Sequence, residues 1–157
     1  MVYYVRGLPA SVVLFVFVPM KTLFTSSYLL IHHDGFGHAL ELEWLDFANS
    51  AQLREGMWEG LRLASLYNVR AWIGNLRGMH VIRPIDQVWL NEEWFPRFAE
   101  LNITHMAIVE SEDVLNRQGV TQIMHRAGPM APLSTAWFQT VEEARNWVRN
   151  TAFALQT

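Results

Sequence analysis

AWIGNLRGMHVIRPIDQVWLNEEWFPRFAELNITHMAIV, residues Ala71 to Val109, decides the fold: a strand, an arginine-bearing loop, an aromatic helix and a second strand follow one another within 39 residues. AWIGN reads as a buried strand. The run from Thr104 to Val109 is near-continuously apolar, as in a strand covered on both faces. Between them Pro84 to Leu101 reads as a helix, with Asp86 as its N-cap. Steps of 100° put Leu90, Trp94, Phe98 and Leu101 within about 80° of one another, with Ile85, Val88, Trp89 and Phe95 roughly opposite. One sheet buries only one such face, so the other is expected in a dimer contact or lining a pocket. Pro96 lacks an N–H and is expected to bend or end this helix near Trp94 and Phe95.

Working outward, Tyr28 to His32 and His38 to Trp44 read as antiparallel strands joined by HDGFG, whose Asp34-Gly35 pair and Gly37 are expected to supply positive φ. Asn49 or Ser50 caps a helix that runs to about Tyr67, and Asn68 ends it in the left-handed conformation. Downstream, Ser111 is expected to cap two short helices broken near Gly119 and ending at Gly128. Ser134 to Gln139 reads as the last strand, and a Thr140/Glu143 capping box opens the closing helix, whose Ala144, Trp147 and Val148 face inward. The order is β-β-α-β-α-β-α-β-α. The expected fold class is α/β, a single mixed sheet of about five strands with helices packed against it.

Composition narrows the function classes. A chain of 157 residues that is 51% hydrophobic and 17% charged holds one well-filled domain. Its net charge of −3 offers no basic stripe for nucleic acid. With no cysteine it has neither disulfides nor thiolate metal sites, which suits a cytoplasmic protein. The apolar run LPASVVLFVFVPM is shorter than the roughly 20 residues of a membrane span, and no signal-type cleavage site follows it. Two readings of residues 1–19 stay open: an extension lying outside a natural domain of residues 20–157, or a targeting segment.

The segments AWIGNLRGM, PIDQVWLNEEWFP, HMAIVESEDV and AWFQTVEEARNWV resemble, in that order, the small bacterial STAS-like or SpoIIAA-like proteins, over roughly Tyr28 to Val148. The resemblance implies a STAS-type domain, related in shape to anti-sigma-factor antagonists and lipid-carrying CRAL-TRIO domains, that works as a non-enzymatic interaction or ligand-binding module. Antagonists of that type carry a phosphorylatable serine after the central strand. Here the junction is Gly74-Asn75-Leu76-Arg77-Gly78, and Asn75 stands where closer members often have Asp.

The candidate binding residues are Asn75, Arg77, Asp86, Trp89, Trp94, Phe95 and Phe98. Arg77, with Arg70, His80 and Arg83, is placed to line a positive pocket at the carboxyl end of the sheet. Its competing reading is a structural pair with Asp86 or a helix C-terminus. His32, His33 and His38 are metal-ligand types, but His32 and His33 point to opposite faces of a strand, so no metal site is assigned. Ser26, Ser27 and Ser134 lack a nucleophile-elbow context. No cofactor and no catalytic residue is expected. The functional expectation is a regulatory or interaction domain acting by homodimerisation or protein binding through the aromatic helix. Its alternative is a carrier or sensor of a small apolar or lipid-like ligand held between that helix and the sheet.

Overall fold

The computed structural model describes residues 20–154, together with the backbone of two short paired strands, β1 (Val2–Tyr3) and β2 (Leu14–Phe15). Most of the expected N-terminal extension therefore lies outside the described residues. The rest forms one α/β unit with a six-stranded mixed sheet in the order β3-β4-β5-β6-β7-β8. The strands are β3 (Lys21–Thr25), β4 (Leu29–Asp34), β5 (Ala39–Trp44), β6 (Ala71–Asn75), β7 (His105–Val109) and β8 (Ser134–Phe138). β3 pairs antiparallel with β4 and β4 with β5, and β5 to β8 run parallel.

The sixth strand is β3, which pairs with β4 from Lys21 opposite His33 to Thr25 opposite Leu30. Its exposed lysine and threonines hide the alternation that marks a strand, because it is an edge element. The β4–β5 turn also departs from expectation. Its left-handed residue is His38 (φ 46°), while Asp34 Oδ1 accepts a bond from the Phe36 amide.

The helices are α1 (Ser50–Leu66), α2 (Pro84–Trp89), α3 (Phe95–Phe98), α4 (Val114–Ala127) and α5 (Val141–Ala154). α1 opens on a reciprocal Asn49–Gln52 capping box and is followed by Asn68 at φ 48°. α4 is one continuous helix capped by Asp113. The expected break at Gly119 is absent; the glycine leaves room for the Gln87 side chain to pass close to the helix. Ser111 holds the loop before it, donating to the Met79 carbonyl.

Because the parallel strands follow chain order, α1, α2, α3 and α4 share one face of the sheet and build the main core with Leu29, Leu42, Trp44, Trp72, Met106 and Ile108. Among the described residues only α5 covers the other face, placing Ala144 and Val148 on Ala71, Ile73, Ala107 and Val109. α1 approaches the sheet on two glycines. A Cβ on Gly56 would stand 2.5 Å from Leu29 Cδ2, and one on Gly60 2.6 Å from the Trp72 ring. On the α5 face, Arg145 reaches Glu41 at 2.9 Å and Arg149 reaches Asp34 at 2.7 Å, so both buried carboxylates are paired.

Candidate functional site

The polar candidates do not assemble into a pocket. Asn75 ends β6 and accepts the Arg77 amide through Oδ1. Arg77 is half exposed; it meets Glu112 at 3.1 Å and the Gln139 carbonyl at 3.4 Å. Its expected pairing with Asp86 is absent. Asp86 is buried, accepts the Ser50 hydroxyl and pairs with Arg83, so it ties the start of α1 to the start of α2 instead of capping α2. Arg83 also donates to Ser50 and lies over the Phe47 ring. His80 sits between Asp46 at 3.4 Å and Asp113 at 3.6 Å. Arg77, His80 and Arg83 are thus each engaged in joining loops, and they do not converge on one pocket. Arg70 lies at the opposite, amino end of the strands.

The aromatic candidates do converge, though differently from the helical wheel. Between α2 and α3 the residues Leu90–Trp94 form a π-helical turn, in which the Phe95 amide bonds to the Leu90 carbonyl. The wider turn absorbs one extra residue, worth about 100° of rotation. Phe95, expected opposite Leu90 and Trp94, is thereby swung to their side. Pro96 follows at once, where its missing N–H is tolerated inside the first turn of α3. Trp94 is 1% exposed and donates its indole N–H to the Met57 carbonyl at 2.9 Å. Its ring stacks on Phe98 at 4.9 Å and meets Trp72 edge-on at 5.4 Å.

The outward aromatic stripe expected on this helix is not there. Trp89 is 8% exposed, packed edge-on against Trp58 of α1 at 5.2 Å with the Arg54 guanidinium over its ring. α1 reaches far enough along the helix to bury that side as well. What remains exposed is Ile85 and Val88.

Between this helix, α1, α4 and the sheet lies a cavity of about 80 Å³. All residues lining it are apolar, among them Trp44, Trp72, Trp94 and Phe95, with four of the chain's seven methionines (Met57, Met79, Met106, Met124). Its sheet-side floor is Gly74. That residue lies on the same face of β6 as Trp72, and a Cβ there would meet nothing nearer than Leu76 Cδ2 at 3.9 Å. Its φ lies outside the left-handed region, so the glycine supplies space and not backbone freedom. Sequence reading missed Gly74 as a site residue. The signal was a glycine interrupting an otherwise apolar central strand, a pattern that often marks close approach of a ligand or another backbone.

His32 and His33 part to opposite faces of β4, while His38 lies close enough to His33 for their charges to interact. His32 bonds Thr22 through Nδ1 and lies 3.8 Å from Glu43, while His33, on the opposite face, meets the Tyr67 ring at a tilt of 38° with centroids 4.6 Å apart. Burial lowers the His33 pKa. Among the described residues no group of three or more His, Asp or Glu side chains is placed to hold a metal ion, and no helix is long and apolar enough to cross a membrane. Comparison with models of known protein families finds no match, and no curated protein or solved structure matches the chain.

Proposed function

We propose that this protein is a non-catalytic binding domain, acting in the cytoplasm, that holds a small apolar ligand between its aromatic helix and the sheet. The observation that carries this reading is the apolar cavity over Gly74. The space is partly open, which gives a ligand a way in and lowers its cost; a sealed void of about 80 Å³ would cost about 2 kcal/mol at roughly 24 cal/mol per Å³. That is a large fraction of a marginal folding free energy. A single methyl on Gly74 would fill part of it without a close contact. Keeping such a space is readily understood if something occupies it.

The resemblance to STAS-like proteins supports the same class of module, and a mixed sheet whose parallel strands follow chain order is compatible with it. The test is native mass spectrometry of protein purified without detergent, with solvent extraction and gas chromatography of the same sample. An apolar compound released in stoichiometric amount is the expected result. A ligand-free protein whose melting no apolar probe alters refutes the reading.

Homodimerisation or protein docking through the same helix is the second reading. It rests on Ile85 and Val88, 66% and 42% exposed, since the tryptophans are buried. Light scattering of Val88→Asp against the parent chain checks it: an unchanged monomer mass in both removes it.

A further inference from the structure

Resting on that reading, we infer that the ligand is a compact, neutral molecule of one aromatic ring, and that Gly74 is the residue that sets its size. The chemistry of the walls excludes charge first. No lining side chain carries a charge, and the Trp94 N–H is already committed to the Met57 carbonyl. A charged or strongly polar ligand would lose its hydration and find nothing in return.

Size excludes long chains next. The space of about 80 Å³ is roughly half of the ~150 Å³ cavity that admits benzene in an engineered protein core. It is several-fold below the 300 Å³ or so at which pockets for drug-sized ligands begin. Widening to about twice this volume admits one ring, whereas a long acyl chain would need several-fold more. The four methionines make the first feasible, because an unbranched thioether changes rotamer easily and its sulfur packs well on a ring edge.

The wall also has the geometry that favours a ring. Its Trp72, Trp94 and Phe95 already meet one another or the neighbouring Phe98, which does not itself line the space, in edge-on or stacked pairs with centroids 4.9 to 5.8 Å apart. A further ring over Gly74 would join this array at the separations aromatic groups prefer. The floor itself is bare peptide. Side chains at Ile73 and Asn75 point to the other face of the sheet, so only the missing Cβ of Gly74 leaves a flat surface beneath the rings.

The experiment is a set of thermal melts of the full chain, followed by circular dichroism, with benzene and toluene as ring probes and n-hexane and decanoate as chain probes. The variants are Gly74→Val and the gentler Gly74→Ala. Benzene at about tenfold its Kd should raise the melting temperature of the parent chain by about 3–6 °C. Hexane and decanoate should leave it unmoved, and the benzene shift should shrink in Gly74→Ala and vanish in Gly74→Val. Should Gly74→Val not fold, the decline in Gly74→Ala decides the role of the floor. Stabilisation by hexane equal to that by benzene would overturn ring selectivity while leaving an apolar carrier standing. An undiminished benzene shift in the glycine variants would overturn the role of Gly74. No shift with any probe would overturn this inference and the binding function together.

Discussion

Trp89→Ala and Trp94→Ala separate a buried aromatic helix from one that presents a docking face. Trp94 is 1% exposed, makes ring contacts with Trp72, Phe95 and Phe98, and donates to the Met57 carbonyl. Truncating a tryptophan in a core costs about 3–5 kcal/mol. Here the new hole would merge with the cavity of about 80 Å³, so the surroundings cannot collapse onto it, and the upper end, about 5 kcal/mol, is expected. Against a domain stability of about 5–15 kcal/mol, that brings the variant close to unfolding. Trp89 is 8% exposed, wedged between Trp58 and Arg54 on the outer side of the helix. Water and the long Arg54 side chain can enter its place, so about 3 kcal/mol is expected. Urea unfolding followed by circular dichroism measures both, and light scattering on the same samples records association. Both variants should lose stability in that order with no change in mass. A Trp89→Ala protein within about 1 kcal/mol of the parent but altered in self-association would refute the packing argument and restore the docking face.

Gly60→Ala should lower the melting temperature, since its Cβ would stand 2.6 Å from the Trp72 ring and 3.0 Å from Leu42 Cδ2; overpacking of about 1–3 kcal/mol outweighs the helix-propensity gain of about 1 kcal/mol. Gly74→Ala should leave stability equal or higher, so thermal melts of the pair would expose an error if both moved the same way. Arg145→Met leaves Glu41, which is fully buried, without its guanidinium and should cost about 3 kcal/mol in urea unfolding; Glu41→Leu added to it should restore most of the loss. Tyr28 has a phenol pKa pushed up to about 12, first by burial and then by its hydrogen bond to Glu55. Its neutral form is favoured in the folded state, so its contribution is complete below pH 10 and lost as pH rises towards 12. Ultraviolet titration should show one tyrosine ionising late, and Tyr28→Phe should remove that step.

The sheet core was legible because β7 is a near-continuous apolar run and β4 and β5 are β-rich segments flanking the HDGFG turn, and the α1 boundaries because Asn49 and Asn68 are chemically explicit caps. β3 was not, because an edge strand with one wet side dilutes the alternation. The aromatic helix was half legible. Pro96 announced a distortion, but a wheel drawn at uniform 100° steps cannot foresee that one extra residue is absorbed between Leu90 and Trp94, and so it put Phe95 on the wrong side. Trp89 was misjudged for a different reason. Its cover is Trp58, 31 positions earlier on α1, and no local pattern reports how far one helix overlaps another. Arg77 and Asp86 were read as binding candidates or as a pair with each other; the partners they do have, Glu112 and Arg83 with Ser50, depend on how four loops meet at one end of the sheet.

The two kinds of glycine on the helix-covered side of the sheet bear on why a cavity exists. Gly56 and Gly60 are there because rings of Trp44 and Trp72 already fill the space a side chain would take, so α1 rests on the sheet only by giving up two Cβ atoms. Gly74 sits two residues beyond Trp72 on the same face and has open space above it. The large rings and the π-helical turn hold α1 and the aromatic helix at a height set by indole, and over Gly74 nothing rises to meet them. Glycine inside a strand is itself destabilising, by roughly 0.5–1 kcal/mol relative to alanine. Stability alone therefore favours a side chain at 74 twice over, once for the strand and once for the void. A position that forgoes both gains, without left-handed backbone or a close neighbour to require it, is where selection for occupancy by something other than the chain itself would leave its mark.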